Sequence, residues 1–162
     1  MFALAPPFAL RALTSADQYF LDALYFSSRE DLHAVSPDAQ LVAQLVRTQQ
    51  QVQQAGFNAQ YPQAEQWLVE RAGQAIGRVV LDCGRADVRL VDLAIAPDAR
   101  RTGAATAVLQ ALQGMAHEHG LAVSLAVSQA NAVAMRLYQK LGFGVTAEDA
   151  AFLQMRWQSG QA

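Results

Sequence analysis

The chain has a single cysteine, Cys83, no uninterrupted apolar run long enough to cross a bilayer, and no marked excess of either charge. One thiol excludes an intramolecular disulfide framework and fits a reducing compartment; its simplest reading is a small, half-buried strand residue. Without about 18 consecutive apolar residues, no membrane-spanning helix is expected. Lys and Arg number 12 against 14 Asp and Glu. The overall field therefore gives no reason to expect nucleic acid or an anionic membrane as a partner, and any basic site must be local. The opening MFALAPPFAL is apolar, but it lacks a basic leading region and is interrupted by Pro6 and Pro7, which argues against a signal peptide. A cytoplasmic protein is expected. There is no linker and no internal repeat. What is present is 162 residues with an apolar share of 52%, enough for one domain in which helices cover both faces of a sheet.

Hydrophobic periodicity orders the elements as β-α-α-β-β-β-α-β-α-β-β. Residues 8–13 read as a first strand. Thr14, Ser15 and Asp17 offer cap oxygens for a helix through about Ser28, whose Phe20, Leu21, Leu24 and Tyr25 recur at helical spacing. Ser36-Pro37 gives a second helix start, with Leu41, Leu45 and Val52 on one stripe and the glutamines of 48–54 on a solvated face. Residues 56–62 read as a loop whose aromatics, Phe57 and Tyr61, lean over a pocket. Short β runs at 67–71, 75–82 and 88–95, joined by tight connections, predict an antiparallel meander. A helix over 102–119 stops at Gly120, a left-handed cap position. The strand at 121–127 follows a crossover and so lies parallel to 88–95. Ser128 caps a helix to about Leu141, closed by Gly142, and strands at 143–147 and 151–157 finish the chain.

Two segments carry chemistry. The stretch APDARRTGAAT, residues 96–106, places a small-residue turn between an apolar strand and an amphipathic helix. The first amides of a helix have no intrahelical partner, and the macrodipole adds partial positive charge there. Pro97 stops the strand, Gly103, Ala104 and Ala105 remove side-chain bulk, and Arg100 and Arg101 add cationic donors. A diphosphate-bearing cofactor is the expected ligand. In the second segment, Asn131 and Tyr138 are seven residues apart and so lie on the same side of a helix, beside an apolar stripe of Val133, Leu137 and Leu141.

Together the segments resemble the GNAT superfamily, the Gcn5-related N-acetyltransferases. RRTGAA, residues 100–105, matches that family's Q/R-x-x-G-x-G/A loop, and residues 131–143 match its N-x-x-A-x-x-x-Y-x-x-x-G-F helix. The resemblance implies an α/β (α+β) fold: a central, mostly antiparallel mixed sheet of about seven strands, flanked by about four helices and splayed between the fourth and fifth strands. Residues 1–162 would form a single such domain. It further implies acetyl-coenzyme A as co-substrate and no metal. The amides of Arg101, Thr102, Gly103, Ala104, Ala105 and Thr106, beside Arg100, would hold the pyrophosphate. The strand backbone at Leu93, Ala94 and Ile95 would pair with the pantetheine arm, and Asn131 and Tyr138 would complete the cofactor side. Thr102 and Ala104 stand where many members carry glycine and a larger aliphatic residue, which weakens the expected grip. Only Gly103 needs a glycine's freedom.

The resemblance makes Tyr138 the acid that protonates the departing thiolate. An alkyl amine acceptor has a pKa near ~10 and must lose a proton to attack. Asp92, flanked by Val91 and Leu93, either orients the acceptor ammonium or passes its proton to water, or else pairs with Arg89 or Arg78. Glu70 and Glu30 are further candidates for the base. On position alone, Arg29, Glu30, Gln49 and Tyr61 line the acceptor pocket. His117-Glu118-His119 is not a metal pair, because helix residues two apart point in different directions. His33 is structural or exposed, and Met115, Met135 and Met155 are packing residues. RRTGAA lacks the lysine and hydroxyl of a Walker loop. No Cys or Ser nucleophile with a His base is evident, so direct transfer in a ternary complex is expected. The acceptor would be a small molecule or a protein amine. The alternatives are a non-catalytic acyl-coenzyme A binding domain, or a transferase that uses another acyl group. The last strand, AFLQMRW, either finishes its own sheet or pairs across a homodimer.

Overall fold

The computed structural model describes residues 2–160. Strands β1 (Phe8–Ala12), β2 (Glu65–Arg71), β3 (Gln74–Cys83) and β4 (Asp87–Ile95) pair successively antiparallel; the short β2–β3 and β3–β4 connections require this, whereas β1 reaches β2 across the long helical segment 13–64. The β2–β3 hairpin turns through Ala72 and Gly73, both at positive φ, the geometry that follows the right-handed twist of the strands. Strand β5 (Ala122–Ser128) lies parallel to β4, because a helix carries the chain across the sheet between them. Strand β7 (Phe152–Gln158) pairs antiparallel with β5, and β6 (Gly144–Glu148) forms the outer edge. The result is one seven-stranded mixed sheet in the order β1-β2-β3-β4-β5-β7-β6. The segment AFLQMRW thus completes its own sheet, with a neighbour on each side.

The helices are α1 (Gln18–Ser28), α2 (Glu30–His33), α3 (Ala39–Gln60), α4 (Ala104–Glu118) and α5 (Ala132–Lys140). The single turn α2 is the addition to the four expected. Among the described residues, no helix is long and apolar enough to cross a membrane. Strand alternation divides the packing. Val79, Leu81, Val88, Leu90, Val123 and Leu125 build the main core with Val108, Leu109, Leu112 and Ala116 of α4. Leu109 and Leu112 are fully buried, each stabilising the fold by about 1.5–3 kcal/mol. Val80, adjacent to Val79, points to the opposite face and lines a cavity there with residues of α3. There α1 and α3 share a smaller cluster of Tyr25, Val42 and Val46.

Three expectations are corrected on the α3 side. Helix α3 starts after Asp38, not at Ser36-Pro37. The Asp38 carboxylate accepts from the amides of Gln40 at 2.9 Å and Leu41 at 3.3 Å, while the Ser36 hydroxyl serves only the Asp38 amide. The helix also runs on through Gln60, so most of the expected loop at 56–62 is helical. The good helix formers before it outweigh the roughly 1 kcal/mol cost of Gly56. Finally, the buried stripe is Val42 and Val46, whereas Leu41 and Val52 are exposed and Leu45 is only half-buried. Cys83 is likewise exposed rather than half-buried, because it ends β3 beside the exposed turn at 84–86.

One glycine that the sequence does not single out holds the sheet together near the site. A Cβ on Gly77 would lie 2.5 Å from the Ala94 carbonyl oxygen and 2.7 Å from the Ile95 side chain. Gly77→Ala is therefore expected to destabilise the protein by about 1–3 kcal/mol through overpacking. Denaturant unfolding measures this directly, and an unchanged midpoint would mean that β4 yields freely.

Candidate functional site

The parallel pairing of β4 and β5 is brief. It joins residues 87–90 to 122–125 and stops, although both strands continue. The cause lies on the other side of β4. Its register with β3 steps from Leu90 opposite Leu81 to Asp92 opposite Val80, leaving Val91 as an extra residue. A bulge of this kind bends the strand and increases its local twist. It falls where the β5 pairing ends, and beyond it the two strands part. Strand β4 remains paired to β3 through Leu93, Ala94 and Ile95. Its other edge, with alternate N–H and C=O groups, is thereby left to the gap. The gap is a cavity of about 180 Å³ lined by β4 at 90–93, β5 at 125–128, and Asn131, Ala134 and Tyr138.

The loop at the end of β4 makes a second feature. A short 3-10 turn, Pro97–Ala99, leads to Arg101 and Gly103, both left-handed, with φ of 61° and 87°. Left-handed residues in such a loop form concave nests of N–H groups that bind anions. Among the described residues, the amides of 101–106 enter no backbone hydrogen bond. The first in line to do so is Ala107, to the Gly103 carbonyl at 2.9 Å. A Cβ on Gly103 would meet nothing within 4 Å, so the space before this helix end is open. Ala104 is buried, whereas Arg100, Arg101 and Thr102 are exposed. The Thr102 hydroxyl donates to the Ala99 carbonyl at 2.7 Å, which braces the loop. Arg100 folds back, its Nε donating to the Ile95 carbonyl at 3.2 Å. Free amides, a positive helix end and two adjacent guanidinium groups suit a diphosphate. The sequence reading anticipated the left-handed Gly103 but not the left-handed Arg101.

On the far wall stands α5. Asn131 caps it, its side-chain oxygen accepting from the Ala134 amide at 3.1 Å. Tyr138 lies on the same side of the helix and lines the same cleft, as the spacing predicts. It is half-buried and meets Phe143 edge to face, with ring centroids 5.7 Å apart. Burial, and secondarily the negative charge of Asp92, push the Tyr138 phenol up to about 12. It therefore stays protonated across the working pH range.

Asp92 lines the cleft and is paired with Arg78, whose Nη2 donates to Oδ2 at 2.7 Å. Of the two arginines considered, Arg78 is thus the partner, while Arg89 donates to the Gln154 side chain at 2.9 Å. Among the described residues, the buried Arg78 Nε has no hydrogen-bond partner. Glu70 is bound to Arg11 at 2.7 Å, Glu30 is exposed on α2, and Arg29 is held by Asp31 at 2.8 Å. These three, and Gln49 on α3, do not reach the cleft. Tyr61 lines a separate cavity with Phe57. His117 contacts the Ser159 hydroxyl and His119 the Met115 carbonyl, so the two rings point to different partners. The bulge at Val91 and the close approach at Gly77 are what sequence reasoning missed. The only signal for either was a glycine inside a strand pattern.

Comparison with known proteins agrees with this arrangement. A sequence profile described as the Acetyltransferase (GNAT) family matches residues 24–143. No curated protein matches the chain. Among solved structures, the PaiA N-acetyltransferase of Thermoplasma acidophilum in complex with coenzyme A superposes with a TM-score of 0.67 at 18% identity, covering 93% of this chain and 98% of that one. The spermidine N-acetyltransferase of Vibrio cholerae, in complex with CoA and spermine, gives 0.63 at 18% identity over 95% and 96% of the two chains. The ribosomal-protein-S18-alanine N-acetyltransferase of Escherichia coli gives 0.63 at 17% identity, with 96% of each chain covered. At such identities the structures share a fold, and the profile match extends over most of the sequence. The chain belongs to the acetyltransferase (GNAT) family.

Proposed function

We propose that this protein transfers an acetyl group from acetyl-coenzyme A to a primary amine, directly and within a ternary complex. The observation that carries the reading is the parting of β4 from β5 in front of a protonated phenol, with a row of unpaired amides at the end of the same strand. In this reading the amides of 101–106 and Arg101 hold the pyrophosphate. The edge of β4 at Leu93, Ala94 and Ile95 pairs with the pantetheine arm, with Arg100 releasing the Ile95 carbonyl as it does so, and the thioester lies near Tyr138.

The acceptor nitrogen attacks the carbonyl carbon with its lone pair, forming C–N as C–S breaks. Sulfur leaves with the bonding electrons and receives a proton, while the nitrogen gives one up, so the products are an amide and a free thiol. Tyr138 supplies the hydrogen bond and the proton at sulfur. A thiolate of pKa ~8.5 is less basic than this phenolate, so the proton moves only as negative charge develops on the breaking bond. The proton shed by nitrogen returns to the Tyr138 oxygen through solvent and restores the phenol. Asp92, with one carboxylate oxygen held by Arg78, orients the incoming ammonium with the other, and the ammonium proton passes to water before the nitrogen attacks.

The test is thiol release from acetyl-coenzyme A that requires both donor and amine. Below the amine pKa of ~10, kcat/KM is expected to rise about tenfold per pH unit as the free amine accumulates. Because Tyr138 titrates at about 12, it imposes no decline before then. A fall in kcat/KM on folded protein between about pH 8 and about pH 10 would show that the donor titrates below a phenol raised by burial. Donor binding without thiol release across a broad amine panel would indicate a sensor. Preference for propionyl or succinyl donors would reassign the acyl group.

A further inference from the structure

Beside the cleft lies a second cavity to which the chemistry above assigns no role. It is a pocket of about 130 Å³, partly open to solvent, lined by Gln54, Phe57, Asn58 and Tyr61 around the end of α3, and by Gln66 and Val80 of the sheet. No charged side chain lines it. Its volume is close to the ~150 Å³ that accepts one benzene ring. Phe57 and Tyr61 provide aromatic surface against which a ring packs edge-on or offset. Gln54 donates to the Asn58 side-chain oxygen at 2.9 Å, which leaves the Gln54 carbonyl and the Asn58 amide hydrogens for a ligand.

One register pair relates the cavity to the cleft. Val80 and Asp92 are register partners, so their side chains share a face of the sheet and their Cα atoms are about 4.5–5.5 Å apart. Val80 lines the cavity and Asp92 lines the cleft. A group seated on Val80 and an amine beside Asp92 are thus separated by roughly 5 Å, the reach of an extended arm of about four bonds. Charge narrows the choice further. The Asp92 carboxylate is already shared with Arg78, and the cavity beyond is neutral. A polyamine would bring further cations to a surface with no free counter-charge, at a desolvation cost nothing offsets.

We infer that the acceptor is a primary amine on a short arm attached to a single uncharged ring, the ring in this cavity against Phe57 and Tyr61 and the amine at Asp92. The inference rests on the amine-acetyltransferase reading, so its test includes a measurement that needs no turnover. Calorimetry with tyramine on the full chain is expected to show binding that Phe57→Ala weakens about tenfold or more. Val52→Gln, on the exposed side of the same helix, leaves that binding unchanged. In the thiol-release assay, kcat/KM for tyramine is expected to exceed that for spermidine at least about tenfold. Asn58→Asp narrows that ratio by supplying the missing carboxylate, while still accepting from Gln54. Its near-isosteric change on an exposed helix face keeps the test usable if Phe57→Ala fails to fold. Tyramine binding equal in wild type and folded Phe57→Ala overturns the inference, as does a preference for spermidine. Tyramine bound through Phe57 without thiol release refutes the transfer reading and leaves the ring cavity standing. Thiol release with ethylamine but no tyramine binding does the reverse.

Discussion

Tyr138→Phe is expected to lower turnover about 100-fold or more, within the range for loss of a positioned proton donor, while the affinity for acetyl-coenzyme A changes less than about threefold. The asymmetry follows from where the phenol makes its contacts. Its ring packs on Phe143 and against the core beneath α5, and phenylalanine retains both contacts. Only the hydroxyl is lost, and in the proposed mechanism its bond to sulfur strengthens only as charge develops there. The residual rate should keep the rising pH dependence of wild type, because the acceptor's titration is untouched. Turnover within about twofold of wild type would leave Tyr138 a packing residue. A parallel loss of donor affinity would place its role in binding instead.

Gly103→Val is expected to weaken acetyl-coenzyme A binding at least about 100-fold, from two additive causes. A β-branched residue at φ 87° costs about 1–3 kcal/mol, which the loop relieves by turning its amides away. The branched side chain also occupies the open space into which a Cβ at this position projects. Each lost hydrogen bond to a charged phosphate costs about 1.5–3 kcal/mol, so one or two such losses with the strain reach two orders of magnitude or more. Calorimetry with coenzyme A reads the effect without turnover. Gly103→Ala, with less bulk and less strain, should fall between wild type and valine. Equal affinity for all three would show that the pyrophosphate binds elsewhere. Fold stability should suffer little beyond the local strain, since nothing packs on this position.

The loop and the phenol were legible because each is a local property. A proline that ends a strand, a glycine that takes positive φ and small residues that open a helix act within a few residues of one another, and Asn131 and Tyr138 share a side of one helix through its pitch alone. The α3 region was less legible for the opposite reason. Asp38 and Ser36 compete for one cap, and the Gln-rich turns carry the helix past Gly56, both settled by small free-energy differences. The buried stripe on α3 was misassigned because packing with Tyr25 selected Val42 and Val46 over Leu41 and Val52, which are as apolar.

Hydrophobic periodicity and the turn residues determined the element order, the antiparallel meander and the crossover that makes β5 parallel to β4, since backbone hydrogen bonding leaves few other ways to bury such segments. They also fixed which residues stand at the helix end and on the α5 face. Tertiary structure alone decided that Val91 bulges, that β3 approaches Ala94 closely enough to exclude any side chain at Gly77, and that Arg78 rather than Arg89 claims Asp92. Those outcomes depend on register between strands distant in sequence. A single-residue slip would turn each side chain to the other face, and no local pattern encodes which register the packed core selects.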